Sequence, residues 1–551
     1  MARKRRKKKT TAAPPLPSPR AGEQLWLLEL PWGMRDSRLS YRKDIKASLY
    51  VGEKVPDDLE PYAAKPYSYL AWVQDQINRR STPTMRASAA PKSPRAEQIE
   101  DARAIVTAAA AGWRGILVAN ATGTGKTLAC IIAAKAICSL RGGNTVVVTV
   151  DRPARMSIPM WRSAIASVGD GGLRWIIVSS DGGLKKLLHP NGQPRLNPCV
   201  VINDEAHVFR RDSQRTARMR RINRLDVAPA KDVPFCISVT ATPVHSPTEY
   251  RYLASLFAQI HGEPVAAWKD LDAALKRKGI DVDKHDSVEV AMKVRDWLLR
   301  SDPPLMLNRP APWGAAEMEA LPVTLSPDQM RQYLLEWGDF QREMHLARRG
   351  ADVAKGLAAL TRFRQKAAYL RVEETVEKVL ADIEDGYQVL VAVEHVTTAA
   401  DPIAQLLEDR GEPVARIYGG RDTLEQERIK FQRGRCKVAV INTVSSISLH
   451  ANEQLADGTV ATAAPRRGYF HQPRYSAIAA QQMMGRAHRD GQHCPWFLLY
   501  GENTIEEKAA QRMTERLIVN ATSVDADTSF LASLALLFGA DWLPMQSAFD
   551  E

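Results

Sequence analysis

The sequence lacks the features of membrane and secreted proteins. No apolar run approaches the roughly 20 residues that a membrane-spanning helix needs, and the amino-terminal residues form a charge cluster with no apolar segment behind it. We therefore expect neither membrane insertion nor secretion. The expected location is the cytoplasm of a bacterial or phage-infected cell, or the nucleus if the source is eukaryotic.

Cysteine is also scarce. The six cysteines include no CxxC pair, and several lie in apolar, strand-like runs, so we expect reduced core residues and no zinc site. Hydrophobic residues make up 45% and charged residues 25%, the balance of a globular enzyme. A chain of 551 residues is too long for one ordinary core, which predicts several domains.

The net charge of +13 is concentrated at the amino terminus, where seven consecutive bases run from Arg3 to Lys9. Residues 1–22 combine this run with four prolines, a composition that predicts a disordered tail. Such a tail attracts phosphate backbones through counterion release. A nuclear-import signal has the same appearance, and a solubilising tail without a specific role is a further alternative.

Residues 23–94 are interpreted as an accessory region and a linker. Aromatic residues, among them Trp26, Tyr62, Tyr67, Tyr69 and Trp72, are scattered among prolines without a sustained period, and residues 81–94 have the composition of a linker. Aromatic side chains of this kind stack on bases in some nucleic-acid-binding proteins. We prefer the interpretation that they pack an accessory domain.

From residue 95 onward, short apolar runs alternate with helical segments. The predicted strands are residues 115–119, 145–150, 175–179, 199–203 and 235–240, then 388–393, 414–418 and 437–442. This alternation predicts parallel sheets with helices on both faces. We expect one α/β lobe over residues 95–260, a mostly helical connecting segment over 261–385, a second lobe over 386–520 and a carboxyl-terminal tail over 521–551.

Residues 120–127 (Asn-Ala-Thr-Gly-Thr-Gly-Lys-Thr) follow a predicted strand and open a predicted helix, which is the context of a phosphate-binding loop. Lys126 is expected to reach the β- and γ-phosphates of ATP, and the Thr127 hydroxyl to bind Mg²⁺. Asn120 replaces the first glycine of the pattern, and asparagine is the commonest non-glycine residue at positive φ. The predicted nucleotide-binding residues of this loop are Thr122, Gly123, Thr124, Gly125, Lys126 and Thr127.

A pair of carboxylates, Asp204 and Glu205, ends the apolar run at residues 199–203. An acidic pair at a strand end is usually a solvated turn, but one that follows a phosphate-binding loop along the chain is expected at the Mg²⁺–ATP site. There Asp204 would hold the metal ion, and Glu205 would orient and deprotonate the attacking water.

With Ala206 and His207, this pair makes the Asp-Glu-Ala-His sequence, and the chain from about residue 95 to about 516 resembles the superfamily-two helicases. The resemblance implies two RecA-like lobes with ATP between them. Residues 240–243 (Thr-Ala-Thr-Pro) are similar to the third motif of that superfamily, and residues 482–492 are similar to the sixth.

The resemblance also assigns roles to individual residues. It implies that Gln98 contacts adenine, that Gln482 belongs to the nucleotide site, and that Arg486 and Arg489 enter from the second lobe as arginine fingers. A helix-surface salt bridge is the structural alternative for the two arginines. His207, with no second histidine at ligand spacing, is interpreted as part of the motif and not as a metal ligand.

Within the superfamily, four segments resemble the Swi/Snf-type DNA translocases and the related strawberry-notch and phage ATPases. These segments are residues 304–309, 418–420, 489–492 and 504–508. Together they favour double-stranded DNA as the track. The fifth motif departs from the pattern, because residues 443–450 carry serines where glycines are common; likewise, Arg152 lies in a segment that is only weakly similar to the usual nucleic-acid-contacting motif.

Seven arginines lie between Arg210 and Arg224, immediately after the Asp-Glu-Ala-His box. They are interpreted either as a face that follows nucleic-acid phosphates or as the solvated side of a polar helix. The expected function is an ATP- and Mg²⁺-dependent DNA translocase or helicase, with protein partners in a replication, repair or restriction assembly as a further expectation. An RNA helicase and a nucleic-acid-binding scaffold without turnover are the alternatives.

Overall fold

The computed structural model of the chain describes residues 23–66 and 93–526 apart from short gaps, together with residues 531, 534 and 537. The gaps are residues 29, 31–33, 35, 43–46, 152–153, 225–232, 283–286, 350–352, 420–422, 443–446, 456 and 475. Several sequence predictions fall outside the described residues: the basic tail, Tyr67, Tyr69, Trp72, most of the linker, Arg152, Gly420, the start of the fifth motif and most of the carboxyl-terminal tail.

Residues 23–66 belong to a compact unit distinct from the one that contains residues 93–526. Its described part is an antiparallel sheet in the order β2-β3-β1-β4, with β1 (Gln24–Leu28), β2 (Ser40–Arg42), β3 (Ala47–Gly52) and β4 (Ala63–Pro66). Leu28, Val55 and Leu59 are its buried core, against which Trp26 packs. The Trp26 indole N–H donates to the carbonyl of Gly52 at 3.0 Å, so this aromatic residue has a packing role in the sheet.

The first lobe contains a six-stranded parallel sheet in the order β10-β5-β9-β8-β6-β7. The strands are β5 (Gly115–Val118), β6 (Thr145–Val150), β7 (Arg174–Ser179), β8 (Val200–Asp204), β9 (Phe235–Val239) and β10 (Met306–Leu307). Separate hydrophobic cores cover its two faces. This arrangement explains the continuous β-branched and aliphatic runs of the central strands, which are buried on both sides.

The helices of the first lobe connect and cover these strands. They are α1 (Ala96–Ala110), α2 (Lys126–Arg141), α3 (Ala154–Val168), α4 (Gly182–Lys186), α5 (Gln214–Asn223), α6 (Ala254–Ile260), α7 (Leu271–Arg277) and α8 (Ser287–Leu299). The Ser213 hydroxyl caps α5 by accepting from the backbone N–H of Thr216. Helix α2 is followed by Gly142, whose left-handed conformation is typical of a helix carboxyl terminus.

The second lobe repeats the plan with a parallel sheet in the order β11-β16-β15-β12-β14-β13. Its strands are β11 (Met318–Val323), β12 (Gln388–Ala392), β13 (Val414–Ile417), β14 (Val438–Ile441), β15 (Arg466–Phe470) and β16 (Trp496–Gly501). Its helices are α9 (Pro327–Arg349), α10 (Val353–Tyr369), α11 (Val372–Glu384), α12 (Asp401–Asp409), α13 (Leu424–Gln432), α14 (Ala477–Ala487) and α15 (Glu506–Ser523).

Two RecA-like α/β domains with parallel sheets are therefore present, as the sequence predicts. The segment 261–385, expected to be mostly helical, also contributes the edge strand β10 to the first sheet and the edge strand β11 to the second. β10 has two residues, and β11 contains Pro322, which is tolerated at a sheet edge. Neither segment has the long apolar run from which a strand is recognised.

Helix α15 packs against both lobes. Near its start, Glu506 forms an ion pair at 3.0 Å with the buried Arg371 of the second lobe. At its end, the Tyr250 hydroxyl of the first lobe donates to the carbonyl of Ser523 at 2.9 Å, and Val524 joins the first-lobe core. The predicted tail thus begins inside a helix that connects the lobes. Within the described ranges, no helix is long and apolar enough to cross a membrane.

Candidate active site at the lobe interface

The predicted phosphate-binding loop joins the carboxyl end of β5 to helix α2. Gly123 and Gly125 have φ values of 88° and 87°, the left-handed region that favours glycine. A Cβ atom at Gly125 would lie 1.8 Å from the Gln98 amide nitrogen, and one at Gly123 would lie 2.9 Å from the Trp313 ring. Both the backbone conformation and the surrounding side chains therefore require glycine here.

Lys126, the first residue of α2, closes this loop. Its ammonium group donates to the carbonyl of Asn120 at 2.8 Å and to that of Ala121 at 2.9 Å. Burial lowers the pKa of Lys126 to about 8, and the nearby carboxylates of Glu205 and Asp204 oppose this shift. The loop thus holds a desolvated cation opposite two acidic side chains.

Asn120 has a role different from the expected one. Its backbone does not have a positive φ, so the explanation by a left-handed conformation is wrong. Its buried side-chain amide instead donates to Asp101 Oδ2 at 2.6 Å, and the Asp101 carboxylate also pairs with Arg309 at 3.0 Å. Asparagine at this position therefore connects the loop to α1 and to the segment that leaves the first lobe.

The two predicted catalytic carboxylates lie at the carboxyl end of β8. Asp204 Oδ2 accepts the indole N–H of the buried Trp161 at 2.7 Å, and its other oxygen accepts the backbone N–H of Glu205 at 3.2 Å. Burial raises the pKa of Asp204, and the Glu205 charge raises it further. Glu205 has a left-handed backbone with φ of 51°, a strained conformation of the kind that clusters at functional sites.

The second lobe reaches Glu205 through helix α14. The side-chain amide of Gln482 donates to Glu205 Oε2 at 2.9 Å and to the Thr242 hydroxyl at 3.4 Å. On the first-lobe side, His207 Nδ1 is hydrogen-bonded to the Thr240 hydroxyl at 3.1 Å. Burial lowers the pKa of His207 to about 3, so its ring is neutral. The acidic box, the Thr-Ala-Thr-Pro segment and α14 therefore form one polar network across the interface.

The two predicted finger arginines differ in their surroundings. Arg486 is buried, donates to the carbonyl of Ile447 at 3.3 Å, and lowers the pKa of Glu205 against the stronger raising effect of burial. Arg489 lies beyond the end of α14. If Gly123 carried a Cβ atom, a guanidinium nitrogen of Arg489 would lie 3.5 Å from it. Both side chains of the second lobe thus face elements of the phosphate-binding loop and the acidic pair.

The remaining predicted residues of the site surround the same loop. A Cβ atom at Gly485 of α14 would lie 3.2 Å from the Thr122 Cβ, and the Thr124 hydroxyl donates to the carbonyl of Ala121 at 2.8 Å. Thr127 is half-buried in the first turn of α2. The Gln98 side chain accepts the backbone N–H of Arg95 at 3.0 Å, completing the amino-terminal turn of α1.

Three residues of the site carry no recognisable signal in the sequence. Arg95 donates to the carbonyl of Thr124 at 2.8 Å, Trp161 binds Asp204, and Trp313 covers Gly123. None of the three lies in a segment with a recognisable motif, and only the folded chain brings them to the site.

A second feature of the interface is a cavity of about 620 Å³ next to this site. Four of the seven clustered arginines line it, together with two aspartates and the start of α14: Arg210, Arg211, Arg215, Arg218, Asp151, Asp181, Ser476 and Ile478. Arg215 lies 3.8 Å from Asp151. Guanidinium groups outnumber carboxylates among these residues, so the cavity has the charge expected of a phosphate-contacting surface.

Comparisons with protein-family models and with curated proteins give no match. Solved structures do match, among them an ATPase core and a helicase domain. The Sulfolobus solfataricus SWI2/SNF2 ATPase core in complex with dsDNA is 16% identical, with 81% of this chain and 97% of that chain covered and a TM-score of 0.33. The Pyrococcus furiosus Hef helicase domain is 13% identical, with 75% and 97% covered and a TM-score of 0.42.

Proposed function

We propose that this chain is an ATP-hydrolysing motor that moves on nucleic acid, with duplex DNA as its track. The observation that carries the proposal is the split site. Lys126, Asp204 and Glu205 come from the first lobe, whereas Gln482 and the two arginines come from the second, and Gln482 contacts Glu205 directly. A site divided in this way couples hydrolysis to relative movement of the lobes.

Each side chain has a defined task in this proposal. Lys126 compensates the charge of the β- and γ-phosphates, and Glu205 orients the attacking water and accepts its proton. Arg486 and Arg489 stabilise the charge that spreads over the transferring phosphoryl group. Gln482 orients the Glu205 carboxylate. Glu205 can therefore act as the base only when the second lobe is packed against the first.

The acidic pair also fits a divalent cation. Two partly buried carboxylates with raised pKa values lie near a single lysine, and the Thr127 hydroxyl lies at the start of the adjacent helix. Oxygen donors of this kind are those that Mg²⁺ prefers. Asp204 and Thr127 would hold Mg²⁺, which would neutralise charge on the phosphate oxygens of ATP. Among the described residues, no separate group of three or more metal-ligating side chains occurs.

Duplex DNA is supported as the track by the Swi/Snf-type resemblance of residues 304–309 and 489–492. The arginine-lined cavity supports phosphate contacts without distinguishing DNA from RNA, because both backbones carry the same charge. The same resemblance supports work within a replication, repair or restriction assembly. The presence of Lys126, Asp204, Glu205, Arg486 and Arg489 argues against a scaffold without turnover.

The test is ATPase activity measured with no nucleic acid, duplex DNA, single-stranded DNA and RNA. We expect slow turnover alone and the largest stimulation with duplex DNA. Lys126→Ala, purified in parallel, serves as the control for contaminating ATPases. Absence of stimulation by any nucleic acid would contradict the motor proposal, and stimulation by RNA alone would replace the DNA translocase with an RNA helicase.

A further inference from the structure

His245 of the first lobe contacts the first turn of helix α14 of the second. It follows the Thr-Ala-Thr-Pro segment and is 6% exposed. Its Nε2 atom accepts the backbone N–H of Ile478 at 3.3 Å and lies 3.4 Å from the Ser476 hydroxyl, which caps the helix. One imidazole nitrogen thus receives a backbone donor that the helix itself leaves unpaired.

This contact defines the protonation state of His245. Because Nε2 accepts, the ring is neutral and its proton is on Nδ1, which faces Glu249 Oε2 at 3.7 Å. Glu249 is held in place by the backbone N–H of His245 at 2.7 Å and by Arg210 at 3.2 Å. Burial lowers the pKa of His245, while the Glu249 carboxylate opposes the shift.

Helix α14 carries the second-lobe half of the candidate active site. Gln482, which binds Glu205, follows one turn after Ile478, Arg486 follows one turn later, and Arg489 lies just beyond the helix end. A helix moves as a rigid element, so the position of its first turn determines where these side chains point. Among the described residues, no hydrogen bond or ion pair joins His245 to a predicted nucleotide-binding residue, so its link to the site runs through the helix.

We propose that His245 is a positioning residue that seats helix α14 against the first lobe in the hydrolysis-competent closed state. The proposal rests on the motor function proposed above and names the first-lobe residue that couples closure to catalysis. The proposed role of His245 differs from that of the arginine fingers, because His245 contacts the helix and not the phosphate.

The geometry also implies sensitivity to acid. A second proton would be placed on Nε2, where it faces the Ile478 N–H and the positive end of the helix dipole, so this hydrogen bond would break. The charged and titratable groups around His245 are Glu249, Arg210, His207 and Arg516. Glu249 favours the protonated ring and the two arginines disfavour it.

The experiment compares His245→Ala, His245→Gln and the control His261→Gln. The His261 ring packs on Trp268 and Trp297 within the first lobe. Measurements are the affinity for ADP, which the first lobe binds, the affinity for ADP with aluminium fluoride, which demands both lobes, and DNA-stimulated turnover. The ratio of the two affinities measures closure of the lobes separately from nucleotide binding to the first lobe. Thermal melting shows whether each variant is folded.

For His245→Ala we expect the affinity for ADP with aluminium fluoride and the stimulated kcat to fall about tenfold, the ratio expected when one buried hydrogen bond is removed. The affinity for ADP should be unchanged. His245→Gln, whose amide oxygen can accept from Ile478, and the control should stay close to wild type. As pH falls, wild type should lose the closure-dependent affinity more steeply than His245→Gln.

An unchanged ratio of the two affinities in a folded His245→Ala variant would overturn the proposal, whether both affinities stay at the wild-type value or both fall equally. If His245→Ala does not fold, a His245→Gln variant with the same acid sensitivity as wild type overturns it as well. These outcomes presuppose a wild-type protein whose ATPase is stimulated by nucleic acid. Failure of the proposed function would appear earlier, as a wild-type chain without stimulated turnover.

Discussion

The amide of Gln482 donates to Glu205 Oε2 across 2.9 Å, although the two residues are 277 positions apart in the chain. Gln482→Ala should lower DNA-stimulated turnover about tenfold through loss of a hydrogen bond to a charged group. Nucleotide affinity should remain within about twofold, because Lys126 and the loop are untouched. Gln481→Ala is the matched control, since the Gln481 side chain contacts Asn520 within the second lobe. Equal activity of both variants would remove Gln482 from the mechanism.

Lys126→Ala and Glu205→Gln should both stop turnover, with losses of about 100-fold or more, but should differ in binding. Lys126→Ala removes the cation that compensates the phosphates, so ATP affinity should also be lost. Glu205→Gln removes the proton acceptor and keeps the shape, so ATP should still bind. Turnover and equilibrium nucleotide binding measured on the same preparations check this. Near-normal hydrolysis in either variant contradicts the site assignment.

Trp161→Phe should make activity more sensitive to acid. The indole N–H stabilises ionised Asp204, so its removal raises further a pKa that burial already raises. Because Mg²⁺ binding needs the ionised carboxylate, the acid limb of the activity profile should move to higher pH. The variant should therefore lose more ATPase activity in mild acid than in mild alkali. The free energy of unfolding should fall by about 1–2 kcal/mol.

A pH profile of the ATPase at saturating and limiting Mg²⁺ measures this effect. Trp268→Phe is the control, because Trp268 is fully buried in the first lobe, stacks on Phe257 at 5.6 Å and belongs to a different hydrophobic core from Trp161. If both tryptophan variants shift the profile equally, the Asp204 contact is not the cause.

Arg489→Ala should remove the stimulation of turnover by DNA, about 10³-fold or more where arginine fingers have been measured. Nucleotide should still bind through the first lobe. Arg486→Ala should be inactive too, but it should also lower stability by about 1–3 kcal/mol, because Arg486 is buried and donates to the carbonyl of Ile447. Arg512→Ala, in an exposed pair with Glu515, is the control. Wild-type stimulation of Arg489→Ala contradicts the two-lobe mechanism.

Arg215→Glu and Arg218→Glu should weaken DNA binding without sequence preference. Both side chains line the arginine-lined cavity, so removing one phosphate-binding side chain should reduce the slope of log affinity against log salt by about 1. Arg221→Glu is the matched control, because Arg221 lies on the same helix but does not line the cavity. Binding titrations at several salt concentrations decide between a phosphate-contacting face and a solvated helix. If the helix is merely solvated, all three variants should have the same DNA affinity and the same salt dependence.

The sequence alone determined the class of fold and the local chemistry of this protein. The central strands are recognisable because a strand buried on both faces must be apolar throughout, as in residues 145–150. The phosphate-binding loop is recognisable because its glycines, lysine and threonine act within one turn of chain. Asp204 and Glu205 could be expected beside it because both segments end parallel strands of one sheet.

Tertiary structure decided the contacts between the lobes and the reasons for single residues. The role of Asn120 depends on Asp101 in helix α1, and the edge strands β10 and β11 have too little local pattern to be recognised. The contacts of Gln482 with Glu205 and of His245 with Ile478 depend on the relative position of two separately folded cores. Residue type and spacing do not encode that position, because it results from packing between surfaces far apart in the chain.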